Sequence, residues 1–177
     1  MSEIRIASRY ARSIIGLATE QGSLDQIYED MQTIYDTAGT NHELIALLGS
    51  PIIEAGTKLI VLAKIFKDSS SLTKQFLAKV VEARREKFLA EIANQFITIY
   101  NNEKGIARAM VTTAIPLDEA NLKLVKEYIS KKINKPTVQL TVKTDPGIIG
   151  GLVINYEDKL LDMSIKNELN KLKQQLN

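Results

Sequence analysis

Residue types suited to acid–base, nucleophilic or metal chemistry are scarce in this sequence. There is no cysteine, so thiolate catalysis, disulfides and cysteine-ligated metals are excluded for these residues. The one histidine, His42, lies in the polar segment Thr40-Asn41-His42-Glu43, where nothing nearby positions it as a catalytic base. A single imidazole without cysteine does not make up a zinc ligand set. We therefore expect no catalytic residue, no metal site and no cofactor.

The glycine-rich segment Pro146-Gly147-Ile148-Ile149-Gly150-Gly151 is the one candidate for a phosphate-binding loop. Such loops join a strand to the first turn of a helix, whose free amides face the anion. Here the segment is predicted to join two strands, and no lysine follows the glycines as in a nucleotide-binding loop. The sequence therefore predicts a tight turn with close backbone contact.

The elements that would have to position any site begin with a predicted bundle of six helices in residues 1–105. Gly22 is predicted to end the first helix, and Ser23-Leu24-Asp25-Gln26 has the pattern of a capping box for the second. The fifth helix is predicted to carry Phe76, Leu77, Val80 and Val81. Apolar residues recur every three or four positions along the first helix at Ile4, Ala7, Ala11, Ile14 and Ala18.

The hydrophobic period changes after Gly105, which predicts a second domain over residues 106–177. Alternating apolar residues predict strands, and a helical segment lies between the first two, giving the order β-α-β-β-β-α. The fold class is therefore α+β. Ser164 is predicted to cap a last helix, whose apolar face is expected to pack on the sheet, with partner contact as the alternative. That face consists of Ile165, Leu169, Leu172 and Leu176.

Charge is balanced along the chain, with 23 basic and 21 acidic residues and a net charge of +2, so no concentrated basic surface is expected. Arg5, Arg9 and Arg12 do recur on one side of the first helix. An ordinary solvated face is the favoured interpretation, and contact with a phosphate or an acidic partner is the alternative. A nucleic-acid-binding helical module is therefore the second functional hypothesis, although no aromatic residues are interleaved with the basic ones to stack on bases.

The first helix carries more apolar and small side chains than one neighbouring helix requires. Tyr10, Ile14 and Leu17 form a second row beside the main apolar stripe, and small residues such as Ala11 and Ser13 would let another helix approach closely. Two interpretations stay open on this pattern. The helix is either buried by its own bundle or forms one side of a groove for a partner's amphipathic helix.

The order of these segments resembles the delta subunit family of bacterial rotary ATP synthase, whose mitochondrial counterpart is the oligomycin-sensitivity-conferring protein. The resemblance extends over the whole chain. The family usually has Asn-Gly-Arg-Leu where Ala83-Arg84-Arg85-Glu86 stands, which leaves open whether the fifth and sixth helices are separate. The motifs that carry the resemblance are Ala7-Ser8-Arg9-Tyr10-Ala11-Arg12-Ser13, Ser50-Pro51 with Lys58, Val111-Thr112-Thr113-Ala114-Ile115-Pro116-Leu117, and Asp145-Pro146-Gly147-Ile148-Ile149-Gly150-Gly151-Leu152-Val153-Ile154.

The resemblance implies a non-catalytic peripheral-stalk, or stator, subunit, present in one copy in a hetero-oligomeric complex. The bundle would hold the N-terminal helix of an alpha subunit, and residues 106–177 would bind the C-terminal end of the b-subunit stalk. The expected location is the cytoplasmic face of the bacterial plasma membrane, without insertion into the membrane and without nucleic acid. The residues expected to contact alpha lie on the first and fifth helices: Ala7, Tyr10, Ala11, Ser13, Ile14, Leu17, Leu77, Val80 and Val81.

Overall fold

The computed structural model of the chain describes residues 3–133, 135–156 and 159–175. It divides into two compact units, Met1–Tyr100 and Asn101–Asn177. The first unit is helical and the second contains a four-stranded sheet with two helices, so the predicted α+β class is confirmed. The domain boundary predicted at residue 105 falls just after the last helix of the helical region ends at Glu103.

The helical region has its elements where the apolar periodicity predicts them. A short 3₁₀ helix, Glu86–Phe88, precedes the sixth α-helix. The core consists of apolar side chains from successive helices, with Ile14, Ile27, Met31, Leu62 and Phe96 completely buried. The α-helices are α1 (Glu3–Glu20), α2 (Leu24–Thr40), α3 (His42–Gly49), α4 (Ala55–Ile65), α5 (Ser71–Glu82) and α6 (Leu89–Glu103).

The junction between α1 and α2 confirms one predicted cap and corrects the other. Gly22 has φ +65°, and the Ser23 amide donates to the Ala18 carbonyl, as in a glycine-terminated helix. The capping box predicted at Ser23 is wrong, because its buried Oγ makes no hydrogen bond. The backbone of Ser23, at φ −109° and ψ 15°, lies outside the extended conformation that an N-cap side chain requires.

The fifth and sixth helices are separate, which settles the question that the sequence left open at Ala83–Glu86. α5 ends because Arg84 takes a left-handed conformation with φ 54°. The amides of Arg84 and Arg85 donate to the carbonyls of Val81 and Val80, both at 2.9 Å, which completes the helix terminus. An arginine thus stands where such a terminus normally has glycine.

The second unit follows the predicted order β-α-β-β-β-α. Its sheet has the strand order β2-β1-β3-β4, in which β1 pairs with β2 in parallel and with β3 antiparallel, and β3 and β4 pair antiparallel. The sequence also predicts a hairpin between the last two strands, and its turn, Glu157-Asp158, lies outside the described residues. The elements are β1 (Ile106–Thr113), α7 (Glu119–Ile133), β2 (Thr137–Thr144), β3 (Gly151–Tyr156), β4 (Lys159–Ser164) and α8 (Ile165–Gln175).

One helix and one sheet face form the core of this unit. Ala109 and Val111 of β1 and Ile154 of β3 pack together with Val125 and Ile129 of α7. Burial alternates along β1, as the period of two that predicts a strand requires. The glycine-rich segment joins β2 to β3 through a short 3₁₀ helix, Pro146–Ile148, and so forms the predicted turn between strands.

The last helix departs from the prediction that its apolar face packs on the sheet. Ser164 caps α8 as predicted, with its Oγ accepting a hydrogen bond from the Asn167 amide at 3.1 Å. However, Ile165, Leu169 and Leu172 are 44%, 52% and 55% exposed. α8 starts at the residue directly after β4, so no loop turns it back over the sheet. The fourth predicted residue of this face, Leu176, lies outside the described residues.

Candidate partner-binding groove

Chemistry-bearing side chains are dispersed in this structure. His42 is exposed at the first position of α3. Within the described ranges, no group of three or more histidine or carboxylate side chains is placed to hold a metal ion. No helix in the same ranges has both the length and the apolar character needed to cross a membrane. Two apolar surfaces of the described chain are candidates for binding a partner.

An apolar groove lies between α1 and α5, with a volume of about 450 Å³. Its two walls meet where the Tyr10 ring packs edge-on against the Phe76 ring, with 6.4 Å between centroids. Leu17 is 44% exposed on the α1 side. The groove is lined by Tyr10, Ser13, Leu17, Leu72, Gln75, Phe76, Ala78, Lys79 and Glu82.

The structure separates the nine residues expected at this site into two groups. Tyr10, Ser13 and Leu17 line the groove, one or two turns apart on α1. The remaining six are core residues with 2% or less of their surface exposed, so they support the walls and do not reach the groove surface. These are Ala7, Ala11, Ile14, Leu77, Val80 and Val81.

The α5 wall contains lining residues that the sequence analysis missed. Leu72, Phe76 and Lys79 recur at i, i+4 and i+7, which places them on one stripe of the helix. This stripe runs beside the core stripe of Leu77 and Val80. The spacing could have indicated it, but periodicity alone does not distinguish an apolar row facing the bundle from one facing outward.

The position of α5 is fixed at its first turn by a carboxylate from α2. Asp30 Oδ2 accepts hydrogen bonds from the Ser70 amide at 2.9 Å and from the Thr73 hydroxyl at 2.6 Å. Ser70 Oγ also accepts from the Thr73 amide, as an N-cap. A negative charge at a helix N-terminus also interacts favourably with the helix dipole. These bonds hold the α5 wall of the groove in place.

Charge at the α5 rim is neutralised locally. Lys79 Nζ and Glu82 Oε2 lie 2.8 Å apart in a fully exposed pair. The hydrogen bond between them raises the pKa of Lys79 and lowers that of Glu82, and their mutual attraction acts in the same directions. Because both side chains are solvated, the pair adds little stability. It leaves this rim with no net charge from these two residues.

A second apolar depression, of about 340 Å³, lies in the sheet-containing unit. It opens beside α7, where Leu124 is 62% exposed and Tyr128 is partly exposed. The depression and the outer face of α8 are separate apolar surfaces of this unit. The depression is lined by Leu117, Asn121, Leu124, Val125, Tyr128, Leu152 and Met163.

Known proteins of one family match this chain across both of its units. A model of the family described as ATP synthase delta (OSCP) subunit matches residues 6–176. The ATP synthase subunit delta of Lactobacillus acidophilus is 34% identical over 176 residues, which cover 99% of this chain and 97% of that protein. The subunit delta of Lactobacillus johnsonii is 35% identical over the same shares of the two chains.

The fold is also found in a solved structure. A chain in the cryo-EM structure of the Toxoplasma gondii mitochondrial ATP synthase hexamer superposes with a TM-score of 0.74 at 21% identity, over 96% of each chain. At that identity the likeness shows a shared fold. The match of the family model over nearly the whole sequence, together with relatives above 30% identity over 97% of their length, decides the family. The chain belongs to the ATP synthase delta (OSCP) subunit family.

Proposed function

We propose that this chain is a peripheral-stalk subunit that joins the catalytic head of ATP synthase to its membrane-anchored b subunit. In this proposal the groove between α1 and α5 holds the N-terminal helix of an alpha subunit. The sheet-containing unit binds the C-terminal end of the b stalk. The chain itself carries out no chemical step and reaches the cytoplasmic face of the bacterial plasma membrane only through its partners.

The single observation that carries the proposal is the open apolar groove on a rigid support. Its exposed apolar side chain, Leu17, lies along the same groove as Leu72 and Phe76, which matches the apolar stripe of an amphipathic helix. The residues behind the walls are fully packed core, and Asp30 fixes the start of α5. A preformed groove binds a helix without a cost of reordering its own walls.

The affinity required of a stator contact is within reach of such a groove. A nanomolar complex corresponds to about −12 kcal/mol. Each apolar side chain that becomes fully buried contributes roughly 1.5–3 kcal/mol. A few anchors from the bound helix, together with the exposed side chain of Leu17, can supply this if they are desolvated together.

The test is calorimetric titration of the chain with a synthetic peptide of the alpha subunit's N-terminal helix from the same organism. Leu17→Gln is expected to weaken binding about tenfold or more, because it places an amide in the apolar groove. Ile4→Gln is the matched control, since Ile4 is also an exposed apolar residue of α1 but does not line the groove. Equal affinity for the parent chain and the Leu17 variant would refute the groove as the alpha site.

A substitution at Ser13 is a second test of peptide binding in the groove, whereas a substitution at Ala11 is not. Ser13 is exposed on the groove, so a bulky side chain there should block the peptide and leave the fold intact. Ala11 has no exposed surface, so a large or charged replacement would disrupt the core and report on folding instead. Ser13→Trp, checked for a native thermal transition, therefore complements the Leu17 variant.

The b-stalk contact is tested separately on the second unit. Leu124→Gln changes the depression beside α7, and Leu172→Gln changes the outer face of α8. Binding of a soluble b-subunit fragment, followed by sedimentation, should be weakened by one of the two and spared by the other. If neither variant alters b binding, the apolar surfaces of this unit are not the b site.

Coupling is tested in membranes that contain the assembled synthase. A variant that loses the alpha contact should still allow the head to hydrolyse ATP, because the proposal places nucleotide chemistry in other subunits. ATP-driven proton pumping by the same membranes should fall sharply, since the head is no longer held against the rotor. Proton pumping that is unchanged after loss of the alpha contact would contradict the stator role.

A further inference from the structure

We propose that the helix bound in the α1–α5 groove carries a row of carboxylates along its α1-facing side, and that Arg5, Arg9 and Arg12 recognise this row. The inference rests on the proposed function, because it names the chemistry of the partner at that same groove. It assigns a role to the basic stripe of α1, whose arginines are not among the residues that line the apolar groove.

The three arginines form one continuous exposed stripe. They stand at i, i+4 and i+7 of α1, so their side chains leave the helix on the same side, and all three are exposed. Seven residues of α-helix extend about 10 Å. The stripe therefore spans about two turns of a helix lying alongside α1.

Arg9 brings the stripe to the edge of the groove. The guanidinium carbon of Arg9 is 5.9 Å from the ring centroid of Tyr10, which is a groove-lining residue. Arg9 is also one turn before Ser13, a second lining residue on α1. A side chain on the flank of a bound helix would therefore come within reach of a guanidinium when its apolar face enters the groove.

No acidic partner of the arginines is found in the part of the chain that the structure describes. Within residues 3–133, 135–156 and 159–175, no carboxylate lies at ion-pair distance from Arg5, Arg9 or Arg12. On the opposite wall, Lys79 is already paired with Glu82. The groove is thus bordered by uncompensated positive charge on the α1 side and by a neutral pair on the α5 side.

This asymmetry determines how a partner helix is oriented. A helix with acidic residues on one flank binds with that flank toward α1, and rotation about its axis or reversal of its direction brings those charges to the neutral rim. Guanidinium groups suit the task because they form paired hydrogen bonds with carboxylates. Exposed pairs are individually weak, so their main contribution is to specificity and association rate.

The experiment is a titration of the full chain with the alpha N-terminal peptide at salt concentrations from about 50 to 300 mM. Over this range the Debye length, the distance over which exposed charges interact, decreases strongly. Arg9→Gln/Arg12→Gln removes two charges of the stripe. Lys64→Gln/Lys67→Gln is the matched control, because both lysines are exposed residues of the same unit that do not line the groove. A peptide with its carboxylates converted to amides is titrated in parallel.

If the proposal is right, the parent peptide binds about tenfold more weakly to the arginine variant at low salt, and the difference disappears at high salt. The lysine control binds as the parent does. The amide peptide binds the parent chain weakly, and the arginine variant weakens its binding no further.

Three results would overturn the inference, and they separate its failure from that of the proposed function. Peptide binding that is unaffected by the arginine variant and by salt refutes the acidic row but leaves the groove as the alpha site. Absence of peptide binding to the folded parent chain refutes both. Tighter binding of a short single-stranded RNA than of the peptide, lost in the arginine variant, would show that the stripe recognises nucleic acid.

Discussion

The buried ion pair between Lys58 of α4 and Glu86 of the 3₁₀ helix is expected to make each of the two residues costly to replace alone. Lys58 Nζ lies 2.6 Å from Glu86 Oε1 and also donates to the Leu48 carbonyl of α3 at 3.0 Å. The two residues are only 4% and 7% exposed, and the second carboxylate oxygen of Glu86 is buried without a hydrogen bond. One lysine thus connects three segments of the unit.

Removing either partner leaves the other charge buried and uncompensated. Lys58→Met is expected to lower the free energy of unfolding by about 3 kcal/mol or more, and Glu86→Met by a similar amount. The double variant should lose much less than the sum, because it buries no unpaired charge. We expect a coupling free energy of about 2–3 kcal/mol, near the upper end measured for interacting neighbours.

The assay is urea denaturation of the four proteins of this double-mutant cycle, followed by far-ultraviolet circular dichroism. The cycle of Lys79→Met and Glu82→Met is the control, because that pair has a comparable distance of 2.8 Å but is fully exposed. We expect no measurable coupling there. Strictly additive effects at Lys58 and Glu86 would falsify the argument that burial, and not proximity alone, sets the strength of the pair.

Three further predictions concern backbone strain and a buried phenol. Arg84→Gly should stabilise the chain by about 1 kcal/mol, because glycine adopts the left-handed conformation at the end of α5 without strain. This gain exceeds the cost of the greater backbone entropy of glycine in the unfolded chain. A melting temperature that is unchanged or lower would contradict this prediction. Gly151→Ala should destabilise by about 3 kcal/mol or more, since φ is +74° and a Cβ would overlap the Met163 carbonyl oxygen, so a native-like melting temperature would refute the close contact. Burial, followed by the hydrogen bond to Asp25, raises the pKa of Tyr100 from 10.0 to about 12. Because this folded-state pKa is raised, its stabilising contribution is complete below pH 10 and is lost between about pH 10 and 12. Tyr100→Phe should abolish that part of the alkaline loss of stability and remove a phenol that titrates near pH 12 in the ultraviolet absorbance, and an unaltered alkaline profile would refute the assignment.

The sequence by itself determined the elements and their class. Apolar residues recur every three or four positions in residues 4–103 and every second position around Ala107–Thr113. Both patterns arise because one face of each element is buried, and that requirement is local to the element. Caps made by neighbouring residues were likewise predictable, as at Gly22 and Ser164. The family resemblance named above rests on the same ordered segments.

Contacts between distant residues were decided only by tertiary structure. Asp25 accepts a hydrogen bond from the Tyr100 hydroxyl at 2.7 Å, although the two residues are 75 positions apart in the sequence. The capping box at Ser23 failed because the end of α1 already fixes that backbone. The end of α5 at Arg84 was not signalled by glycine or proline, and it forms because the carbonyls of Val80 and Val81 bond to the following amides.

The candidate site shows the same division. Periodicity found the apolar sides of α1 and α5, and the family resemblance pointed to Ile14 and Val80 as groove residues, but the structure buries both in the core. Tyr10, Ser13 and Leu17, which were also expected there, do line the groove, and Phe76 lines it as well although it was not expected. A sequence records how apolar a stripe is, because that depends on residue type. Which stripe faces its own bundle and which faces solvent depends on how neighbouring helices pack, and that is settled only when all of them are in place.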